Sequence, residues 1–400
     1  MSGAPHVLVV NAGSSSLKYS LVDATTGASP GGGLVERISE QVGTVIHEGP
    51  EGEVRIEGAV ADHEAAFALA LAAFEEHGPS LAAYDVVAVG HRAVHGGDRF
   101  SAPVRVTDEV CRAIEDLVPL APLHNPANLE GIAGARALFP DLPHVAVFDT
   151  AFHQSLPEHA WTYAVPRSWA SEHAIRRYGF HGTSFSFVSR AAAELLGKPL
   201  EETNLIVAHL GNGASITAVR GGASVETSMG MTPLEGLVMG TRSGDVDPAL
   251  HAHLHRELGL SLDEIDTELN RNSGLKGLAG ENDFREVLRM RTDGDEGACL
   301  AFDVYCHRLR KYVGAYYAVL GRVDAVVFTG GVGENAAPVR AESLAGLAEL
   351  GITVDAERNA APNGEPRAIS PDGSRVAVLV VPTDEEWEIA RQAVEVIGAS

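Results

Sequence analysis

The sequence predicts an α/β protein of two similar halves, each a mixed sheet covered by helices, and three observations carry that prediction. The segment VLVVNAGSSSLKYSLVD (7–23) runs from four aliphatics through a polar glycine turn into an alternating strand, and LIVAHLGNGASITAVRGG (205–222) repeats the pattern. Sliding one on the other pairs residues 7–10 with 205–208, Gly13 with Gly211 and Ser15 with Gly213, the mark of an internal duplication. A third glycine turn, in AVVFTGGVGENAA (325–337), again caps an apolar strand. Three such turns suggest one cleft lined from both halves.

In order along the chain, residues 7–10 and 17–22 read as strands, GASPGGG (27–33) as a turn, 34–38 as a strand, EGPEGE (48–53) as a turn and 54–56 as a strand. This is an antiparallel meander. Helical periodicity follows over 64–76, then a strand over 86–89, a helix from about 108 to 118, another after Asn125-Pro126, and a strand over 145–148. In the second half the repeated strand pair is followed by helices, including a long one over 296–320. A strand over 325–328 comes next, with Glu334-Asn335 opening a helix after its glycine turn. The last helix, in VPTDEEWEIARQAVEVI (381–397), starts with Thr383-x-x-Glu386, the spacing of a capping box.

Composition narrows the function. With 400 residues, 45% hydrophobic and 21% charged, the chain is ordinary globular material with apolar mass for two domains. Its 30 basic and 54 acidic residues, net −24, repel a nucleic-acid backbone or an anionic bilayer, so neither is an expected partner. Any bound anion must meet a local basic cluster. Most positive charge is arginine; the lysines are Lys18, Lys198, Lys276 and Lys311, which makes Lys18 in the first glycine turn a scarce residue. Three cysteines, Cys111, Cys299 and Cys306, without zinc-type spacing read as thiols in a reducing compartment. The start MSGAPHVLVV lacks a basic leader, and the longest apolar stretch elsewhere, 65–74, is too short to span a bilayer. A soluble cytoplasmic protein is expected.

A glycine turn after a strand can cup phosphate oxygens, because without Cβ the backbone comes close and successive N–H groups converge. Asn11, Gly13, Ser15 and Lys18 supply such a cup with hydroxyls and a cation, although the loop is not a Walker loop. Ser15-x-x-Lys18 also has the spacing of a serine acyl-enzyme, but the residues after Lys18 alternate as a strand and the chain has no Lys-Thr-Gly. A polar hairpin tip is the plainer alternative for a Gly-Ser turn.

Arg92 in GHRAVHGGDRF (90–100) and Arg242 in GTRSGDVDP (240–248) lie in tight glycine-flanked loops, which suits planar recognition of carboxylate or phosphate. His124, His153, His181 and His209 fall at similar places. His181, between Phe180 and Gly182 before a Thr/Ser helix start, suits a donor aimed into a cleft. Asp149 ends the strand over 145–148, where a carboxylate can hold hydrated Mg²⁺. If Glu386 reaches back to the helix cap, Glu385 is the carboxylate left free; the plain alternative for both is complementarity to the helix dipole.

The stretches NAGSSSLKYSL, GHRAVHGG, LAPLHNPAN, FDTAFHQSLP, RRYGFHGTSF, HLGNGASI, TSMGMTPLEGLVMGTRSGDVDP, FTGGVGENA and PTDEE span residues 11–386. In that order they resemble the motifs of the acetate and propionate kinase family. The resemblance implies a duplicated actin-like ATPase fold of ribonuclease H-like domains facing an interdomain cleft. The first domain would be 1–150, completed by a C-terminal helix over 383–400, and the second, nucleotide-binding domain 151–382. It implies reversible phosphoryl transfer from ATP to acetate, giving acetyl phosphate and ADP, with Mg²⁺ or Mn²⁺, and a homodimer.

By the same resemblance, acetate contacts fall on Arg92, Val94, Leu123, Phe180 and Pro233, and the catalytic set is Arg92, Asp149, His181 and Arg242. Asn11 and Glu385 match metal positions, and Asn11, Ser15 and Lys18 the first phosphate turn. His209, Leu210, Gly211, Asn212 and Gly213 match the second phosphate turn. Asp283, Phe284 and Arg285, with Gly331, Val332, Gly333 and Asn335, match the adenosine pocket.

Elementary chemistry agrees. A carboxylate substrate with a pKa of about 4 is already ionised at neutral pH, so no general base is needed. The task is to bring one anion against another, which two arginines and Mg²⁺ offset, with donors around the equator of the transferring phosphoryl group. Direct in-line transfer is expected, with His181 donating a hydrogen bond and Asp149 orienting the metal and neighbouring His or Arg groups, in a protein whose lobes close on nucleotide. Two other readings stand beside it: a propionate or butyrate kinase on the same scaffold, since one methylene is worth about 1–3 kcal/mol of discrimination, and an actin-like or chaperone ATPase driven by a protein partner.

Overall fold

The computed structural model describes residues 3–398. Residues 1–2 and 399–400, which the expected first domain includes, lie outside the described residues. Two compact units fall within Met1–Gln154 with Asp384–Ser400, and Ser155–Thr383.

The first unit holds an eight-stranded sheet: β1 (Pro5–Gly13), β2 (Ser16–Asp23), β3 (Gly31–Glu36), β4 (Gly43–Gly49), β5 (Gly52–Gly58), β6 (Asp85–Ala93), β7 (Val104–Arg105) and β8 (His144–Phe148), in the order β5-β4-β3-β2-β1-β6-β8-β7. Strands β1 to β5 form an antiparallel meander, the expected one with β4 as a further strand that sequence reasoning missed, while β6 runs parallel to β1 and β8 parallel to β6. Strand β1 explains why its apolar run does not alternate with polar residues. Leu8, Val10 and Ala12 pack with Phe67 and Phe74 of helix His63–His77, whereas Val7 and Val9 pack with Ile389, Ala390 and Ala393 of helix Glu385–Gly398. Both faces are covered, so both must be apolar.

The second unit holds β9 (Asn204–Leu210), β10 (Ala214–Arg220), β11 (Ala223–Thr227), β12 (Ala325–Thr329), β13 (Arg367–Ala368) and β14 (Ala377–Val380), in the order β11-β10-β9-β12-β14-β13. Strands β11-β10-β9 are antiparallel, β12 and β14 join in parallel, and β13 closes the edge antiparallel. That order and those senses repeat β3-β2-β1-β6-β8-β7 strand for strand. The duplication inferred from two glycine turns therefore extends through six strands of each sheet, in the ribonuclease H-like order.

Four local expectations change. Gly31, Gly32 and Gly33 lie in strand β3 and not in a turn, because a Cβ on Gly32 would stand 2.7 Å from the Tyr19 carbonyl oxygen and one on Gly33 2.3 Å from that of Ile46. The helix expected to reach residue 118 is Asp108–Asp116, followed by a 3-10 turn, Val118–Leu120. Pro119 disfavours helical geometry in the residue before it. Glu334-Asn335 closes the short helix Gly330–Asn335, which springs directly from β12 through Gly330 at φ 76°. The last helix is capped by Asp384, whose Oδ1 accepts from Trp387 N at 2.8 Å, so Thr383 and Glu386 form no capping box. Glu386 instead pairs with Lys18 at 2.6 Å.

Candidate functional site

In the first unit the expected residues gather at the C-terminal ends of β1, β6 and β8. Arg92 lies not in the expected tight loop but on β6, one residue before its end, because the strand runs on past residue 89 to Ala93, and Asp149 directly follows β8. Arg92 Nε donates to Asp149 Oδ1 at 3.1 Å and Nη2 to Oδ2 at 2.7 Å, the two-pronged geometry that only a planar guanidinium makes. The Asp149 charge raises the Arg92 pKa above its ordinary value. Glu385, at the start of the last helix, lies 3.8 Å from Arg92 Nε. Burial raises the Glu385 pKa, Arg92 draws it down and Asp149 pushes it up again.

Asn11 sits on β1 opposite Lys18 of β2, and the Lys18 ammonium, 58% exposed, is paired with Glu386. Ser15 is exposed in the β1–β2 turn, where its carbonyl accepts from Ile38 N at 3.0 Å. Val94 is partly buried, and Leu123 is 65% exposed ahead of helix Asn125–Leu138.

Three residues that sequence reasoning did not single out hold this group in place. Asn128, buried, donates through Nδ2 to the Ala12 carbonyl and accepts Val94 N on Oδ1, both at 2.9 Å, so one amide fixes the tip of β1 and the loop after Arg92. Asn125 accepts from His95 N at 3.3 Å and donates to the His95 carbonyl at 3.1 Å. His63 Nε2 meets the Gly13 carbonyl at 2.8 Å while its Nδ1 faces Glu130 Oε2 at 2.9 Å, tying down the first glycine turn. The available signal was the Asn-Pro-Ala-Asn run at 125–128: two buried asparagines at a helix start need backbone partners.

In the second unit the β9–β10 turn closes through Gly211 N to the Gly213 carbonyl at 3.0 Å. Gly213 is where two predicted groups converge. A Cβ there would lie 3.3 Å from Arg242 Nη1 and 3.7 Å from His181 Nε2. His181 takes left-handed geometry (φ 58°), uncommon outside glycine, at the N-terminus of helix Gly182–Leu195. Its Nδ1 lies 2.8 Å from Ser215 Oγ, and its ring stacks on His209 at 4.3 Å.

Arg242 donates to the Pro233 carbonyl at 3.3 Å and approaches Met239 Sδ at 3.7 Å, and no carboxylate of the described residues pairs with it. Burial lowers its pKa. Its charge is thus held by neutral groups, whereas that of Arg92 is already matched. Phe180 is buried at 4% exposure beside His181, and Pro233 is partly exposed.

A cavity of about 700 Å³ adjoins this turn. Gly211, Asn212, Asp283, Phe284, Arg285, Gly331, Val332 and Asn335 line it as expected, and Gly240, Leu275, Asn282, Leu288 and Ala336 complete it. Leu210 is fully buried and does not line the cavity. Gly333 is likewise turned away from it: a Cβ there would lie 3.5 Å from the Phe328 carbonyl carbon and 3.6 Å from the Ala208 carbonyl oxygen, in ordinary contact with β12 and β9. Asp283 caps helix Phe284–Thr292 and forks onto the exposed Arg285, whose hydrogen bonds lower the Asp283 pKa to about 2.

The third glycine turn is not an open phosphate cup, because Glu334 Oε1 already accepts Gly330 N at 2.9 Å and Thr383 N at 3.1 Å. It serves instead as a wall of the cavity.

Among the described residues no group of three His, Cys, Asp or Glu could hold a metal ion, and no helix is long and apolar enough to cross a membrane. Asn11 and Glu385, the residues expected at a metal, carry the hard oxygens that Mg²⁺ takes, an ion that otherwise fills its shell with waters and substrate phosphates.

A duplicated α/β fold with glycine turns at its strand ends, unpaired positive charge beside one turn and a nucleotide-sized cavity beside it defines a phosphotransferase of the ribonuclease H-like class. Comparison with known proteins gives the family. The profile of the Acetokinase family matches residues 6–391, and the chain belongs to that family. An acetate kinase of Clavibacter michiganensis is 61% identical over 389 residues, 97% of this chain and 98% of that protein. One of Streptomyces griseus is 59% identical, covering 98% of this chain and 97% of that one. Among solved structures, the acetate kinase of Porphyromonas gingivalis superposes with a TM-score of 0.94 at 43% identity, covering 98% of this chain and all of that one. A propionate kinase of Francisella tularensis gives 0.91 at 43% identity, covering 98% and 99%.

Proposed function

We propose that this protein transfers the γ-phosphoryl group of ATP to acetate, reversibly, giving acetyl phosphate and ADP by direct in-line displacement. The observation that carries the reading is the convergence of Arg242 and His181 on Gly213, next to the cavity that Phe284 and Val332 line. The acetokinase relatives support it. Adenosine occupies the cavity, the β9–β10 turn receives the phosphates, and the Arg242 guanidinium meets charge that builds on the transferring phosphoryl oxygens. Because neutral groups hold Arg242, its field is not spent on a carboxylate, as transition-state stabilisation requires.

In the first unit, Arg92 binds the acetate carboxylate and Val94 and Leu123 bound its methyl group. Asp149 keeps the Arg92 plane oriented. Asn11 and Glu385 hold Mg²⁺, which when bound neutralises charge on the phosphate oxygens. The protein works in the cytoplasm as a homodimer, with Mn²⁺ able to replace Mg²⁺.

A propionate kinase is the second reading, favoured by the Francisella tularensis neighbour. Incubation with ATP, Mg²⁺ and hydroxylamine, with acetate, propionate or butyrate in parallel, distinguishes the readings by acyl hydroxamate colour. Strongest colour with acetate supports the proposal. Strongest colour with propionate moves it to the second reading, and ATP consumption without hydroxamate refutes both.

A further inference from the structure

His209 lies on β9 at the edge of the second phosphate turn, and its two ring nitrogens face different surroundings. Nε2 lies 3.9 Å from the position a Cβ on Gly211 would take, so it borders the turn itself. Nδ1 lies 2.8 Å from Ser184 Oγ, and Ser184 Oγ lies 2.8 Å from Thr383 Oγ1. Thr383 is itself fixed, because its backbone N donates at 3.1 Å to Glu334 Oε1, the oxygen that also receives Gly330 N. A file of side chains therefore runs from the third glycine turn through Glu334, Thr383 and Ser184 to the second.

The direction of the hydroxyl protons in that file decides the state of the ring. If His209 Nδ1 carried the proton, Ser184 would accept it and donate to Thr383, and the Thr383 hydroxyl proton would have no acceptor among the described residues. In the opposite order Thr383 donates to Ser184 and Ser184 donates to His209 Nδ1, and each hydroxyl proton has a protein acceptor. A neutral imidazole that accepts on Nδ1 carries its proton on Nε2.

We propose that Ser184, itself oriented by Thr383, is a positioning residue that keeps His209 in the Nε2–H tautomer, so that the ring offers a donor to the second phosphate turn. The other tautomer would present a lone pair to phosphate oxygens. The inference rests on the reading of this turn as a nucleotide-phosphate site, but its spectroscopic test does not need turnover.

The full-length protein labelled with ¹⁵N-histidine is examined at neutral pH by long-range ¹H–¹⁵N correlation, with a His209→Gln spectrum assigning the ring. The wild type should show Nδ1 in the range of an unprotonated ring nitrogen and Nε2 in that of a protonated one. Ser184→Ala should give a mixed-tautomer signature, and Ser184→Thr, which keeps the hydroxyl, should restore the wild-type pattern. In parallel, Ser184→Ala should raise KM for ATP roughly tenfold, the lower end of what loss of a histidine-orienting partner costs, with KM for acetate within about twofold of wild type. Wild-type His209 protonated on Nδ1, or an unchanged tautomer in Ser184→Ala, overturns the proposal. If Ser184→Ala does not fold, the wild-type spectrum alone decides. Absence of acetate phosphorylation in the wild type would instead count against the proposed function, leaving the tautomer measurement to stand or fall by itself.

Discussion

Arg92 and Arg242 are both proposed to meet anionic substrate, yet their surroundings predict different costs on removal. Arg92 is forked onto Asp149, whose side chain is 2% exposed, while the arginine is 23% exposed. Arg92→Ala removes the two-pronged guanidinium that faces a buried carboxylate. Breaking a buried pair from one side costs about 3–5 kcal/mol, and partial exposure of Arg92 places this case near the lower end, about 3 kcal/mol. At about 2–4 °C per kcal/mol for a domain of this size, the melting midpoint should fall by roughly 6–12 °C. Arg242 has no carboxylate partner among the described residues, and burial already disfavours its charge. Arg242→Ala should therefore leave the midpoint within about 2 °C of wild type, while lowering kcat by about 10³ or more, the scale for an arginine that stabilises a transferring phosphoryl group. Differential scanning fluorimetry and the hydroxamate assay read the two effects on the same samples. Equal destabilisation by the two single arginine variants, or near-normal turnover in Arg242→Ala, would refute the reasoning.

Gly240→Ala should disturb nucleotide binding by displacing Asn212, because its Cβ would fall 2.0 Å from Asn212 Oδ1; KM for ATP should rise roughly tenfold. Phe284→Ala should also raise KM for ATP, by about tenfold for the loss of one aromatic face, with KM for acetate unchanged. The His91 pKa is lowered to about 3 by burial, with a further push from His144, which lies 2.9 Å away across β6 and β8. Its unfolded counterpart takes up a proton near pH 6.5, so the contribution of His91 is fully present above that value. It is lost as pH falls from about 6.5 toward about 3, with a slope near 1.4 kcal/mol per pH unit. Urea unfolding should show His91→Gln flattening the stability profile across that window; an unchanged slope contradicts the assignment.

Strands and the duplication were legible because apolar runs capped by glycine turns carry their own period, and β1 and β9, from Pro5 and Asn204, contain the apolar runs that open the two matching segments. Arg242 and His181 were legible as residue types in glycine-flanked loops, whereas Arg92, expected in such a loop, lies on strand β6. What faces them was not. Asn128 fixes the tip of β1 through Ala12, 116 residues away, and no local pattern encodes that contact. Gly240 belongs to the nucleotide cavity because it must clear Asn212, a constraint that exists only once two loops meet. The glycine run at 31–33 misled in the opposite direction: residues that usually mark a turn mark here a strand crowded by Tyr19 and Ile46. At the last helix the Thr383-x-x-Glu386 spacing lost to Asp384, one residue along and equally able to cap, and the freed Thr383 turned to Ser184 and Glu334. Glu385 stayed uncommitted to the cap, as expected, although Lys18 and not the cap engages Glu386.

The central claim is a single direct displacement at the γ-phosphorus with acetate as the acceptor, and the stereochemistry of that phosphorus tests it most directly. ATP made chiral at the γ-phosphate with oxygen isotopes is turned over with acetate, and the configuration of the acetyl phosphate product is determined. The account predicts inversion, since a single displacement by the acetate carboxylate needs no protein nucleophile. Retention, the result of two displacements through a phosphorylated side chain, would contradict it.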